Sequence, residues 1–264
     1  MTDQTRRSRR FSISVALIVA LFAAVAAWVV FDPGFHGGRF ALFSSGMPRE
    51  EFDRRVRDYL INHPEVIVEA VQGLQARQQR ADLTEAQEAL KARADEIFRD
   101  PNSPVGGNAQ GDVTLVEFFD YNCPYCRKMA PLLIEAEKAD PQLRIVFKEF
   151  PILGPGSEFA ARAALASQRQ GQYEAFHHAL MAAKEKVNDE SVLTAAAQVG
   201  LDVERLKADM QDPSIQMAID RNMALATALR ISGTPGFIVG DQILRGATEL
   251  TVLQGMIAQA RKQK

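Results

Sequence analysis

The first apolar segment of the chain extends from Phe11 to Phe31 without a charged residue and contains only two serines. As a helix it would be about 31 Å long, close to the thickness of the hydrocarbon core of a bilayer. Four arginines precede it and Asp32 follows it, which places the N-terminus in the cytoplasm. The pattern predicts a membrane anchor at residues 1–32. The alternative is a cleaved signal with a small-x-small site at Ala24-Val25-Ala26, and either arrangement exports the rest of the chain.

A weaker helical pattern follows a glycine-rich spacer at residues 33–47. Apolar residues recur at helical spacing in two short stripes on either side of Asn62-His63-Pro64: Phe52, Val56, Tyr59 and Leu60, then Ile67, Val71 and Leu74. Each stripe is too narrow to fold alone, and narrow apolar seams on charged helices usually pair with another helix. We therefore predict an oligomerising helical stalk at residues 48–99. The alternative is a helix pair that packs on the chain's own C-terminal domain.

Strand and helix patterns alternate in the C-terminal part, after a Gly- and Pro-containing linker at residues 100–112. Continuous apolar runs predict buried strands, and a hairpin with a glycine-containing turn follows a long helical stretch. The order is strand, helix, strand, helical insert, hairpin and helix. This order predicts a single α/β domain over residues 113–264, with the helical insert at about residues 157–230.

Composition and charge narrow the function classes. The chain has 264 residues, of which 47% are hydrophobic and 24% charged, as in ordinary globular proteins. Its formal net charge of −2 gives no basic surface for nucleic acid, so no nucleic-acid partner is expected. Two cysteines and four histidines without ligand spacing leave little material for a structural metal site, and we predict none.

The two cysteines, Cys123 and Cys126, lie three residues apart where a predicted strand meets a predicted helix. The first N–H groups of a helix are unpaired and its dipole is positive there, so a thiolate at Cys123 is stabilised. Pro124 suits the first helical position, and Cys126 lies one turn on, placed to attack a mixed disulfide at Cys123. The spacing favours a redox pair. A Cu(I)-binding pair and a structural disulfide are the alternatives, although a bridge over so short a loop stabilises little.

The segment Val116-Glu117-Phe118-Phe119-Asp120-Tyr121-Asn122-Cys123-Pro124-Tyr125-Cys126 resembles the active-site segment of DsbA-type thiol-disulfide oxidoreductases of the thioredoxin superfamily. The resemblance covers roughly residues 103–262 and includes Phe147-Lys148-Glu149-Phe150-Pro151 and Ser232-Gly233-Thr234-Pro235-Gly236. The segment Asp58-Tyr59-Leu60-Ile61-Asn62-His63-Pro64-Glu65 is similar to the N-terminal region of the suppressor-of-copper-sensitivity protein C group. The resemblance implies a thioredoxin fold with an inserted helical lobe, preceded by the stalk and the membrane helix.

The resemblance also implies roles for individual residues. Cys123 would be the solvent-facing nucleophile and Cys126 the buried resolving thiol, with Pro124 and Tyr125 completing the active-site loop. A cis-proline loop would face the pair and offer backbone groups to a substrate strand, at Thr234 and Pro235. The redox-active disulfide would serve in place of a cofactor.

The sequence also gives expectations for five polar residues inside the predicted domain. Glu117 matches the family's buried acid, which would exchange protons with the resolving thiol; the alternative is a charge on an edge-facing strand. Asp120 and Lys148 are interpreted as ordinary solvated charges. Of His177 and His178, adjacent on an insert helix, one is expected in the core and one on the surface.

The sequence therefore predicts an oxidoreductase that forms, isomerises or reduces disulfides in exported proteins through Cys123 and Cys126. The predicted location is the bacterial inner membrane, with the catalytic domain in the periplasm; a soluble periplasmic protein is the alternative. Partners would be exported substrates with thiols or disulfides, a membrane redox partner and further copies of the chain. The stalk and Thr234 favour an oligomeric isomerase over a monomeric oxidase. A non-catalytic copper- or thiol-binding protein is the alternative from another class.

Overall fold

A computed structural model of the protein describes residues 47–263. It contains ten α-helices, one 3₁₀ turn at Gln168–Gln170 and five strands in this part of the chain. The helices are α1 Arg49–Asn62, α2 Glu65–Ala92, α3 Ala94–Phe98, α4 Pro124–Ala139, α5 Pro155–Ser167, α6 Tyr173–Met181, α7 Asp189–Gln198, α8 Val203–Asp209, α9 Pro213–Ala228 and α10 Leu250–Lys262. The strands are β1 Val105–Gly107, β2 Val113–Phe119, β3 Leu143–Glu149, β4 Gly236–Val239 and β5 Gln242–Arg245.

The predicted anchor or signal at residues 1–32, together with residues 33–46 of the predicted spacer, lies outside the described residues. Among residues 47–263, none of the helices combines the length and apolar character needed to cross a membrane.

The chain divides into two compact units, with the boundary between Gly73 and Leu74. In the described part of the first unit, α1 ends at Asn62, where the sequence predicts a break, and α1 buries no residue. Three of the four residues in its predicted apolar stripe are exposed, Phe52, Val56 and Tyr59, and Leu60 is half-buried. The apolar stripe predicted for this helix is thus largely uncovered within the first unit.

The second unit is built on a five-stranded sheet in the order β1-β3-β2-β4-β5. Strands β2 and β3 are parallel, and every other neighbouring pair is antiparallel. This is the thioredoxin-like α/β architecture expected from the order of elements, with α5–α9 inserted between β3 and β4. The sequence does not predict strand β1: it lies within the expected linker, and its three residues are too few to give a periodic signal.

The central strands β2 and β3 are buried on both faces, which explains why apolar residues predominate in their sequences. Side chains alternate between the faces along each strand. One face of β2 and β3 carries Leu115, Phe119 and Phe147 into the larger core with α4 and the inserted helices. The other carries Val116 and Phe118 into a second cluster with Leu90, Ile97, Leu225 and Leu229.

The predicted stalk at residues 48–99 is divided between the two units. Within the second unit, Ala86 and Leu90 at the end of α2 are buried, and Ile97 of α3 is fully covered. The side chain of Gln87 donates to the backbone carbonyl of Asp241 at 3.1 Å. The C-terminal part of this region thus packs on the α/β domain, as in the alternative of a helix pair covering its own domain.

Two residues interpreted as solvated charges are buried instead. Lys148 is 0% exposed; its Nζ donates to the carbonyl of Glu96 and the hydroxyl of Ser103, each at 2.7 Å. Its neighbour Asp100 lies 3.6 Å away, but burial dominates and lowers the pKa of Lys148 to about 8. Asp120 is 1% exposed. The sequence interpretation was wrong because the covering segments are distant in sequence and carry no local signal.

Candidate functional site

The two cysteines lie where β2 leads into α4. Cys123 is the N-cap of this helix, with extended backbone angles, and Pro124 occupies its first turn. The Cys123 N–H donates to the carbonyl of Asp120 at 3.0 Å, which closes a tight turn. The Cys126 N–H donates to Cys123 Sγ at 3.4 Å. The first cysteine thus takes the capping position normally filled by an oxygen-bearing side chain.

The environment of Cys123 stabilises its thiolate. A hydrogen bond from the Cys126 thiol is the largest cause. After opposing burial, it is followed by a hydrogen bond from the Thr234 side chain and by the backbone N–H groups of Cys126 and Tyr125. Together they lower the pKa of Cys123 to about 5. The same arrangement raises the pKa of Cys126 far above its usual range, chiefly because burial disfavours its charged form. Cys123 is therefore the more readily ionised thiol of the pair at neutral pH.

A loop before β4 faces the cysteine pair. The peptide bond between Thr234 and Pro235 is cis, and Pro235 is buried. The carbonyl oxygen of Thr234 lies 3.3 Å from Cys123 Sγ and accepts a hydrogen bond from the protonated thiol. The structure thus brings together the two cysteines and the predicted cis-proline loop, although they are more than a hundred residues apart in sequence.

The two cysteines differ less in exposure than expected. Cys126 is 0% exposed and Cys123 only 4%, so the expected solvent-facing thiol is nearly covered in this structure. The exposed residue of the motif is Tyr125, at 63%. The carbonyl of Thr234 lies 3.3 Å from the sulfur of Cys123, so the cis-proline loop covers part of this sulfur.

Glu117 lies on β2 between Phe147 of β3 and Phe237 of β4. It is 1% exposed, and its Oε1 has no hydrogen-bond partner among the described residues. Burial, with a smaller contribution from the charge of Cys123, raises its pKa to about 8. Its charge in turn raises the pKa of Cys126. Glu117 is thus a buried acid that interacts electrostatically with both thiols, as its position before the motif suggested.

Asp120 organises the backbone around the cysteine turn. Its carboxylate accepts from the N–H of Asn122 at 2.7 Å, the hydroxyl of Ser157 at 2.7 Å and the N–H of Leu153 at 2.9 Å. These donors come from the turn itself, the loop after β3 and the first turn of α5. The buried side chain of Asp120 therefore has its hydrogen-bonding capacity met within the protein, and these bonds hold the turn against the helical insert.

The comparisons with known proteins agree with this geometry. Residues 114–258 match the DSBA-like thioredoxin domain. The chain belongs to this family. Residues 49–81 also match the N-terminal domain of the copper resistance protein ScsC. Both parts of the resemblance deduced from the sequence are confirmed.

Several solved structures are similar to this DSBA-like protein. A thioredoxin-like oxidoreductase from Silicibacter pomeroyi DSS-3 is 52% identical and covers 64% of this chain and 97% of its own, with a TM-score of 0.63. A linker-deletion mutant of ScsC from Proteus mirabilis is 27% identical and covers 84% of this chain and 99% of its own, with a TM-score of 0.65.

Curated relatives include two kinds of protein. The thiol:disulfide interchange protein DsbA of Bordetella parapertussis is 27% identical over an alignment of 187 residues, and the match covers 66% of this chain and 89% of that protein. A relative named Na(+)/H(+) antiporter NhaA, from Herminiimonas arsenicoxydans, is 29% identical over 60% of this chain. The chain spans only about a quarter of the length of that antiporter.

Sequence reasoning missed the buried residues on the far side of the DSBA-like site. Glu149 at the end of β3 accepts hydrogen bonds from Tyr121 and Tyr173, and His177 contacts Tyr121. As expected, one of the adjacent histidines is in the core: His177 is 2% exposed, and His178 is half-buried. The sequence signal that could have indicated this cluster is Glu149, an acidic residue at the end of an apolar strand.

Within residues 47–263 there is no group of three or more side chains suited to hold a metal ion.

Proposed function

We propose that this DSBA-like protein exchanges disulfides with exported proteins through Cys123 and Cys126. The observation that carries the proposal is the N-cap position of Cys123, where hydrogen bonds lower its pKa to about 5 beside a Cys126 thiol that stays protonated. At neutral pH one sulfur of the pair is thus an anion and the other is not. This asymmetry sets the order of the two steps.

In the first step the Cys123 thiolate attacks one sulfur of a substrate disulfide. A bond forms between Cys123 Sγ and that sulfur, the substrate disulfide breaks, and the departing sulfur leaves with the electron pair and takes up a proton. In the second step Cys126, deprotonated, attacks Cys123 Sγ. The second substrate sulfur leaves as a thiolate, the substrate is reduced, and Cys123 and Cys126 become a disulfide. Oxidation of substrate thiols is the same sequence in reverse.

For the direction, we propose an oligomeric isomerase located at the bacterial inner membrane with its catalytic domain in the periplasm. An isomerase needs a nucleophilic thiolate at neutral pH, which the lowered pKa of Cys123 supplies. The exposed apolar side chains of α1 and the match of residues 49–81 to the ScsC N-terminal domain support association through the stalk. A membrane redox partner would keep the pair reduced. One similar structure is of a periplasmic thioredoxin-like protein from Salmonella enterica.

The test is recovery of activity by scrambled-disulfide ribonuclease, with the full-length chain purified in mild detergent and reduced beforehand. We expect recovery that requires Cys123. A second assay uses the oxidised chain with reduced ribonuclease. Oxidation of that ribonuclease by the Cys123–Cys126 disulfide, without recovery of the scrambled form by the reduced chain, would replace the isomerase by an oxidase. Stoichiometric Cu(I) binding without any turnover would favour a copper-binding protein and contradict the proposal.

Substitution of Val56 by lysine is expected to dissociate the oligomer. Val56 is 40% exposed on α1, in the apolar stripe, and a charge there would be buried on association. The mass in solution, measured by light scattering during gel filtration, should fall to that of one protomer. The matched control is Arg54→Glu on the opposite face of the same helix. Equal masses for wild type and Val56→Lys would remove this face from the interface.

Substitution of Glu117 by glutamine is expected to slow the second step by about 10²-fold, within the usual range for general base catalysis. The raised pKa of Cys126 means that its proton must be removed before it can attack. Glu117 is the buried acid that interacts with it, and glutamine keeps its shape without accepting a proton. The measurement is the decay of a mixed disulfide at Cys123 in a single turnover. The first step serves as the internal control, and equal decay in both proteins would exclude Glu117 as the base.

A further inference from the structure

A cluster of four buried polar side chains lies behind the cysteine turn, and the exchange steps described above do not use it. The Glu149 cluster comprises Glu149, Tyr121, Tyr173 and His177. Glu149 Oε1 accepts from the Tyr121 hydroxyl at 3.0 Å and from the Tyr173 hydroxyl at 2.9 Å. His177 Nδ1 lies 3.1 Å from the Tyr121 hydroxyl. The four side chains are 1%, 1%, 6% and 2% exposed, respectively.

The surroundings of Glu149 favour its neutral carboxyl form. Burial is the largest cause that raises its pKa, against the two tyrosine hydrogen bonds that lower it. Within residues 47–263 no cationic side chain is paired with it, and its Oε2 has no hydrogen-bond partner. His177 offers no compensating charge, because burial lowers its pKa to about 3. A carboxylate here would be an unpaired buried anion, which protonation avoids.

Tyr121 connects this cluster to the reactive sulfur. It is the second residue of the turn that the Cys123 N–H closes on the Asp120 carbonyl. Its own carbonyl accepts from Nε of Arg127, on α4, at 2.7 Å. Its hydroxyl is fixed at the other end by Glu149. A change in the position of its ring therefore moves the turn that sets Cys123 at the start of the helix.

Tyr173 provides a matched comparison within the same cluster. It donates to the same oxygen of Glu149 at nearly the same distance, and it is also enclosed in the core. However, it lies at the start of α6 and not in the cysteine turn. Loss of the Tyr173 hydroxyl removes its hydrogen bond to Glu149. Loss of the Tyr121 hydroxyl removes its contacts with Glu149 and His177, and it frees one end of a side chain that belongs to the cysteine turn.

We propose that Glu149 is a positioning residue for disulfide exchange: its carboxyl group holds the Tyr121 hydroxyl, and Tyr121 holds the turn that places Cys123 Sγ against the helix N-terminus and Thr234. This inference rests on the proposed function and adds a residue that touches neither thiol. Its consequence is that the stabilisation of the Cys123 thiolate depends on a hydrogen bond at the opposite end of the Tyr121 side chain.

The test compares Tyr121→Phe, Tyr173→Phe and Glu149→Gln in the full-length chain. The apparent pKa of Cys123 is measured from the pH dependence of its alkylation by iodoacetamide, and stability from thermal unfolding. We expect both tyrosine variants to lose stability, Tyr121→Phe more than Tyr173→Phe, because the Tyr121 hydroxyl also contacts His177. The apparent pKa should rise by about one unit in Tyr121→Phe, as for the loss of one hydrogen bond to the thiolate, and stay unchanged in Tyr173→Phe. Glu149→Gln should keep the wild-type value, because its amide oxygen accepts from both hydroxyls.

Equal pKa values for the two tyrosine variants would overturn the proposal and reduce the cluster to a stabilising element. A shift in Glu149→Gln as large as that in Tyr121→Phe would overturn the neutral state of Glu149. If Tyr121→Phe does not fold, Glu149→Leu removes the same contact and should raise the apparent pKa by a similar amount. A wild-type protein without exchange activity would refute the proposed function, whereas the pKa comparison would still decide the positioning role.

Discussion

Replacement of Cys123 by serine is expected to lower the rate of disulfide exchange by about 10³-fold or more. Losses of this size are typical when the nucleophile of an enzyme is removed. Cys123 is the sulfur whose pKa is lowered to about 5 and the one that contacts Thr234. The remaining thiol, Cys126, is 0% exposed, and burial raises its pKa, so it cannot replace the nucleophile. The measurement is the rate of insulin disulfide reduction with excess dithiothreitol.

The matched control is Cys126→Ser, which keeps the nucleophile and removes the resolving thiol. This variant should still form mixed disulfides but release them only slowly. Its loss of turnover should therefore be accompanied by a trapped adduct, whereas Cys123→Ser should trap none. Comparable turnover by Cys123→Ser and wild type would show that the reaction does not depend on this cysteine.

The second large effect is the pH dependence of the rate at which Cys123 is alkylated. Its pKa of about 5 in the folded protein compares with a value of about 8.5 for a free cysteine. We expect the alkylation rate to be half-maximal near pH 5 in the folded, reduced protein. In a chemical denaturant the midpoint should return to about 8.5, because the hydrogen bonds to the sulfur are lost. A folded midpoint above about pH 8 would contradict the thiolate environment described for the N-cap.

The direction in which pH changes the stability of the reduced protein follows from the lowered pKa of Cys123. The folded-state pKa is depressed, so the thiolate stabilises the folded, reduced protein fully above the unfolded value, about pH 8.5. This contribution decreases as the pH falls and is lost as the pH passes through about 5, the folded value. The disulfide form has no thiolate to lose. The stability of the reduced protein relative to the oxidised one should therefore fall between about pH 8.5 and about pH 5.

The parts of the fold that the sequence predicts well are those with local signals. Val113–Phe119 and Leu143–Glu149 are predominantly apolar segments, and both are buried strands in the structure. The cysteine motif is a local signal as well, since Pro124 marks the first turn of α4. The family resemblance adds Glu117 and Pro235 to the predicted site. The periodicity of the sequence alone could not have placed these two residues beside the cysteines.

What the sequence could not show are contacts between distant segments. The burial of Lys148 depends on Glu96 and Ser103, and that of Asp120 on Leu153 and Ser157. A charged residue in an apolar run is compatible with either an exposed edge or a buried polar pair until the covering segment is known. The near-complete cover of Cys123 has the same origin, because Thr234 lies more than a hundred residues away in the chain.

The Glu149 cluster is the clearest case. Tyr121, Glu149, Tyr173 and His177 are spread over more than fifty residues of the sequence, and each is ordinary in its local context. Only the parallel pairing of β2 with β3, together with the return of α6 over that face, brings them together. A buried hydrogen-bond cluster of this kind is a property of the tertiary structure.

The most direct test of the central claim is identification of the residue that carries the substrate. Full-length Cys126→Ser protein is incubated with an oxidised peptide disulfide, alkylated, digested and mapped by mass spectrometry. We expect a single peptide adduct in a disulfide bond with Cys123. It should form faster at neutral pH than at an acidic pH below the pKa of Cys123. The absence of an adduct at Cys123, with the peptide disulfide intact, would contradict thiol-disulfide exchange at this site.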